Sequence, residues 1–260
     1  MRVAIPAKTF FDLLIYKTGA NLRTEVSRYY LNYLWWVIEP VLTMAVFYVV
    51  FGIFMNRGTE HFVAFLLCGL TFWNWFVRSM SNASTSIMGG QGLMQQVDIQ
   101  KVFFPLEVVL RDCFKLLFSL TLLLVFLLFH PTPLSLTWLA LPLLMLAQLC
   151  LVAGGAILCA ALVPFVPDLK FIISTTLHLM FFGTGIFYNI DSVVLPEHRY
   201  LIYLNPMAGL IKAYRQVLIY DTWPDWLYLA KVFVFALLLL AFSLWLVFKL
   251  DHVYPRVCQQ

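Results

Sequence analysis

Six long apolar stretches, at 34–54, 62–77, 106–129, 134–163, 171–187 and 226–248, constrain this chain more than anything else in it. A helix needs about 20 apolar residues to cross the hydrocarbon core of a bilayer. In that solvent the backbone must satisfy its own polar groups, which leaves helices or closed barrels. The stretches therefore predict an all-α membrane protein with six transmembrane helices. The second and fifth are short and draw on flanking residues to complete their span. Charged residues are 12% of the 260 and hydrophobic ones 62%, a composition no soluble core has. One transmembrane domain over residues 1–260 is expected, with no length left for a soluble catalytic domain. No GxxxxGK[ST] loop occurs, so a motor, if one is used, has to be a separate chain.

An even number of spans places both termini on one side. Arg2, Lys8, Lys17, Arg23, Arg28, Arg78, Lys101, Arg111, Lys115, Lys170, Lys249 and Arg256 fall on that side. Arg57, Arg199, Lys212, Arg215 and Lys231 fall on the other. The positive-inside rule then predicts cytoplasmic termini. A cleavable signal is not expected: the first apolar run, 10–16, is short, carries Asp12, and no small-residue cleavage site follows. Cys68, Cys113, Cys150, Cys159 and Cys258 are scattered without CxxC or ligand spacing, so they read as small buried hydrophobes and no metal site is predicted.

Within residues 1–30, Phe10, Phe11, Leu14, Ile15 and Leu22 share a broad helical face opposite Asp12 and Arg23. Such a helix lies in the membrane interface, and a span follows almost at once. Tyr and Trp cluster before Glu39-Pro40, marking the headgroup level. Glu39 is costly against lipid and so reads as a packing or functional residue. The loop 78–101 is the most polar run; Gly89, Gly90 and Gly92 break it into two short helical pieces that suit docking on a cytoplasmic partner. Glu107 with Arg111 and Asp112 with Lys115 have the spacing of local ion pairs. Pro164 and Pro167 pin a tiny loop around Asp168 and Lys170. Residues 188–221 are too apolar for a surface loop and break at Asn205-Pro206, as a re-entrant hairpin capping a pathway would. His178 sits deep in an apolar run, where a hydrogen-bonded packing role is expected rather than a proton relay.

Four landmarks in order then carry a resemblance: L-x-Y-L-W-x-x-x-E-P at 31–40, F-F-P-L-E at 103–107, P-D-L-K at 167–170, and F-G-T-G-I-F-Y followed by L-N-P-M-A-G-L-I-K-A-Y-R at 182–215. Together with the six-span frame they resemble the membrane subunits of polysaccharide-exporting ABC transporters, which move O-antigen, capsule or teichoic acid. The resemblance covers essentially the whole chain. It implies a homodimer in the bacterial inner membrane, joined by two copies of a cytoplasmic ATPase. ATP and Mg would sit in that partner, with no cofactor on this chain. It also implies a lipid-linked glycan passing through a channel at the dimer interface, with O-antigen slightly favoured, and no nucleic acid as partner. The amphipathic segment corresponds to an interface helix and the 78–101 loop to a coupling loop bearing Ile87, Gln91, Leu93, Gln95, Asp98 and Lys101. The 188–221 hairpin corresponds to periplasmic gate helices, with Tyr188, Asn205, Pro206, Tyr214 and Arg215. Arg28, Trp35, Glu39 and Pro40 are expected at a cytoplasmic gate.

Sugar rings present CH faces that aromatic side chains bind without gripping particular hydroxyls. Tyr33, Trp36, Phe47, Phe51 and Phe54 fall in one arc at helical spacing, and Phe171 and Phe182 share a face with His178. This set is the expected channel lining. Other classes fit less well. A membrane-embedded polyprenyl-lipid enzyme needs convergent acids or His, whereas Glu39, Asp98, Glu107 and Asp168 are dispersed. A gradient-driven carrier would show inverted repeats, and none is visible. An ABC permease for a drug or simple lipid differs only in cargo.

Overall fold

The computed structural model describes residues 7–27, 32–54, 61–129 and 135–258, and among these every regular element is helical. In chain order they are α1 (Ala7–Ser27), α2 (Trp35–Phe47), α3 (Phe62–Ser84), α4 (Ser86–Gly89), α5 (Gln91–Gln96) and α6 (Phe103–Phe129). There follow α7 (Leu141–Leu162), α8 (Leu169–Gly183), α9 (Ile190–Val193), α10 (Arg199–Tyr203), α11 (Pro206–Leu218), α12 (Trp226–Leu250) and α13 (Tyr254–Val257). Five helical segments are long and apolar enough to cross a membrane: 35–54, α3, α6, 136–162 and α12. The stretch expected to span 171–187 forms a shorter apolar helix, α8, of 15 residues. It stops at Gly183 because Gly185, at φ 70°, turns the chain in a conformation that disfavours a Cβ.

Surroundings sort the helices. The post at the centre of the bundle is α3, packed by α2, α6, α7, α8 and α11. It is the least apolar of the long helices and the most buried, because protein rather than lipid surrounds it. By contrast α12 is the most apolar and mostly exposed. Helix α3 was expected to end near Val77 but runs on to Ser84, since Ser79, Ala83 and Ser84 are small enough to stay buried. The polar loop is correspondingly shorter, and α4 and α5 supply its two helical pieces, broken at Gly90. Helix α2 passes into a wider π-helical turn, Tyr48–Phe54, so its side-chain period does not stay at the ideal value.

The closest pairing is α7 on α12, along the small residues Ala153, Gly154 and Ala156. Ser243 of α12 donates to the Gly154 carbonyl at 2.8 Å. A Cβ on Gly154 would stand 2.8 Å from the Leu240 backbone nitrogen, which cannot swing aside. Gly154→Ala is therefore expected to cost about 1–3 kcal/mol by overpacking, read as a lower unfolding midpoint in detergent. Gly19→Ala, with open space around it, is expected to leave that midpoint unchanged or slightly raised.

The bundle has two distinct ends. At one, α1, α4, α5, the start of α6, the end of α12 and α13 share a core of Leu14, Ile87, Met94, Ile99, Phe103, Val247 and Tyr254. At the other, residues 184–225 lie over the first turns of α3 and the start of α12. Leu14, Thr18, Leu22 and Val26 bury one side of α1, the side packed on α6. Phe11 and Ile15, expected on the same apolar face, point away and stay exposed.

Candidate functional site

Residues that are far apart in sequence converge on Arg215 at the end away from the termini. The turn at Gly185 aims two carbonyls inward. Arg215 Nη1 donates to the Gly185 oxygen at 2.7 Å and Nη2 to the Ile186 oxygen at 2.7 Å. Nε and Nη2 also reach the Phe65 oxygen at 3.3 and 3.2 Å, and the guanidinium lies over the Phe65 ring. Burial pushes the Arg215 pKa down to about 10, so it stays charged at neutral pH. Tyr214 is buried face to face on Phe72, ring centroids 3.5 Å apart. Both side chains were expected at a gate. Each is buried on the inward face of α11, where the pair clamps that helix to α3 and to the turn after α8.

The other expected gate residues sit nearer the surface. Asn205 caps α11 through Met207 N at 3.0 Å and donates to Thr184 Oγ1 at 2.9 Å. Pro206 opens that helix, where its missing N–H costs nothing. Tyr188 Oη donates to the Phe182 carbonyl at 2.9 Å. The segment is not a simple pair of helices: α9, a 3-10 turn, α10 and α11 follow one another.

Sequence reasoning missed a second polar group here. Lys212 Nζ lies 2.6 Å from Asp191 Oδ2, and Tyr203 Oη donates to Asp191 Oδ1 at 2.9 Å. Burial works against the Asp191 carboxylate, but Lys212, Tyr203 and Arg199 outweigh it and hold its pKa below the usual range. Tyr228 Oη donates to the Tyr203 carbonyl at 3.1 Å. Cavities of about 240 and 310 Å³ flank Lys212. The available signal was the density of Tyr, Asp, Lys and Gln in a segment otherwise apolar.

At the end bearing α1 and α13, the residues expected to couple to a partner divide into two groups. Lys101 is 2% exposed, with Nζ 3.5 Å from Asp251 Oδ2 and 3.6 Å from Asp98 Oδ1, and its N–H donates to Asp251 Oδ1 at 2.8 Å. Ile87 is buried as well. These two point inward and fasten the piece to α6 and α12. Gln91 and Leu93 are half-buried, while Gln95 and Asp98 are exposed beside Met88, Gln96 and Val97. Gly90 lies directly under the Phe104 ring, leaving no room for a Cβ.

A polar girdle stands just inside this end. Arg78 pairs with Glu39 at 2.6 Å, Lys115 with Glu25 at 2.5 Å and with Asp112 at 3.8 Å. Asn82 donates to Asp112 at 3.2 Å. Glu107 accepts from Asn21 at 3.0 Å rather than pairing with Arg111, because α1 lies against α6 and brings Asn21 within reach. Pro40 is buried inside α2. Having no N–H, it frees the Trp36 carbonyl, which Ser119 Oγ approaches at 3.5 Å. Trp35 is exposed; Arg28 lies outside the described residues.

The expected aromatic lining splits into three environments. Tyr33 and Trp36 pack on Phe118 and Phe114 of α6, and Trp36 is buried. Phe47 and Phe51 stack on Phe187, with Phe47 also against Phe181. Phe54, Phe171 and Phe182 are exposed. Wheel geometry placed the first five in one arc, but their neighbours change along α2 from α6 to the end of α8. On α8 the exposed residues include Phe171, Ile172, Thr175, Thr176, His178, Leu179 and Phe182. His178 bonds the Ser174 carbonyl at 2.8 Å yet is exposed, not packed as expected.

Residues 16–219 match the family described as ABC-2 type transporter. An O-antigen export system permease protein RfbA of Klebsiella pneumoniae is 27% identical over 249 residues, 95% of each chain. A second so named from that organism is 28% identical over 209 residues, 80% of each chain. One from Myxococcus xanthus is 28% identical over 217 residues, 82% of each chain.

Proposed function

This chain belongs to the ABC-2 type transporter family, and on that premise we propose that it exports a lipid-linked polysaccharide of the O-antigen kind as the membrane half of an ABC transporter. It works as a homodimer in the bacterial inner membrane, with both termini cytoplasmic. Two copies of a partner ATPase bind ATP and Mg and dock on the exposed side of α4 and α5. The glycan passes between the two permease copies.

The exposed face of α8 supports this reading most directly. Thr175 and His178 sit there between Phe171 and Phe182, with no covering element among the described residues. Hydroxyl and imidazole groups against lipid are costly, and a polar path removes that cost. Aromatic rings spaced along such a face give a sugar chain many weak, similar contacts, which suits sliding. Helix α2 adjoins it through the Phe47, Phe51, Phe181 and Phe187 cluster, so both helices present a surface to a second copy.

In a strain lacking the native gene, the wild-type chain should restore surface polysaccharide. Phe171→Ala with Phe182→Ala is expected to reduce it several-fold while the permease still co-purifies with its ATPase. Unchanged export by the double variant removes α8 from the path. Loss of a drug or simple lipid instead of polysaccharide would reassign the cargo.

A further inference from the structure

We infer that the paired cavities on either side of Lys212 form a glycan-binding subsite, at the end of the bundle away from the termini, that holds pyranose units of the exported chain. The inference rests on the export reading above and adds a site to it. Tyr203, Lys212 and Gln216 line both cavities; Asn189 and Asp191 contribute to one, Asp225 and Tyr228 to the other. With volumes of 240 and 310 Å³, the pair is on the scale of small-ligand sites, about 300–1,000 Å³.

The lining chemistry favours a neutral polyhydroxylated ligand. Gln216 offers an amide with donors and an acceptor, and its side chain makes no bond among the described residues. Vicinal hydroxyls match that arrangement. Tyr203 and Tyr228, edge to face at 6.2 Å, add aromatic surface for CH groups. An anion is disfavoured, because Lys212 is already matched by Asp191 at 2.6 Å, Asp225 adds a further carboxylate, and the Arg215 guanidinium is committed to carbonyls. A hydrocarbon chain is disfavoured because it would strip water from Lys212, Gln216 and Asp225, which line these walls beside apolar neighbours. The site is also held firmly: α11 is fixed from behind by Arg215, while the 41% exposed side chain of Lys212 leaves an approach from outside.

The test uses the purified permease–ATPase complex in nanodiscs and an oligosaccharide of one to three repeats, freed of lipid by mild acid from the strain's own exported polysaccharide. Titration calorimetry should show binding by wild type. Gln216→Ala is expected to weaken it about tenfold, the worth of one or two lost hydrogen bonds, with ATP hydrolysis unchanged. A diazirine derivative of the same oligosaccharide should cross-link wild type within residues 203–228, which keeps the test decisive if the variant proves unstable. No binding by wild type, equal binding by Gln216→Ala in a folded complex, or labelling confined to other segments overturns the subsite. Those results leave the export reading standing if the gene still restores surface polysaccharide. A deletion strain with normal polysaccharide defeats the export reading itself.

Discussion

Arg215→Met should lower stability by about 3–5 kcal/mol. The guanidinium makes four hydrogen bonds to three backbone carbonyls, all of them buried. Methionine fills much of the volume but leaves the Gly185 and Ile186 oxygens without a donor, at about 1–3 kcal/mol each before relaxation, while the Phe65 oxygen keeps only its helical N–H partner. Removing a buried charge recovers part of that loss, so the net falls short of the sum. For a chain of this size the unfolding midpoint should drop by roughly 10 °C. Arg215→Lys should restore little, since an ammonium cannot span the fork that reaches Phe65 and Ile186 together. Melting of both variants in detergent reads the effect. A midpoint within about 2 °C of wild type would show that the carbonyls find other partners.

Lys101→Met is expected to cut export at least about tenfold while leaving ATP hydrolysis by the assembled complex largely intact. Lys101 is the tie between the coupling piece and the end of α12, holding Asp98 and Asp251 at 3.6 and 3.5 Å. A push delivered by a partner at the exposed side of α5 reaches the membrane helices only through a stiff connection. Without the ammonium, two carboxylates are left near each other and the piece can shift on α6. Asp251→Asn should be milder, because an amide oxygen still accepts the Lys101 N–H. Export assays paired with hydrolysis rates separate uncoupling from failed assembly. Normal export by Lys101→Met would place the coupling path elsewhere.

Much of the fold was legible because bilayer solvent writes itself into composition: the apolar runs at 34–54, 106–129 and 226–248 became helices with nearly those bounds. Boundaries failed where polar residues stayed helical, as in α3 beyond Val77, and where a glycine turn cut an apolar run, as after Gly183. Sites were read less well. A helical wheel reports which residues share a face, not which neighbour that face meets, so Trp36 and Phe47 ended in different surroundings. The burial of Arg215 and Lys101 was likewise not legible, since Phe65, Gly185, Ile186 and Asp251, which hold them, come from distant segments. The pairing of Glu107 with Asn21 depends on α1 folding back on α6, which no local spacing reveals.

If this chain is a passage opened by a separate engine, transport has to be rebuilt from purified parts. Liposomes carrying a fluorescently tagged lipid-linked polysaccharide are prepared with this chain, with its ATPase, with both, or with neither, and the glycan reaching the far leaflet is measured. Transfer is expected only when both proteins and Mg-ATP are present. Transfer by this chain alone, covalent change of the glycolipid by it, or ATP-driven transfer that proceeds in its absence would show that it is not a passage driven by that ATPase.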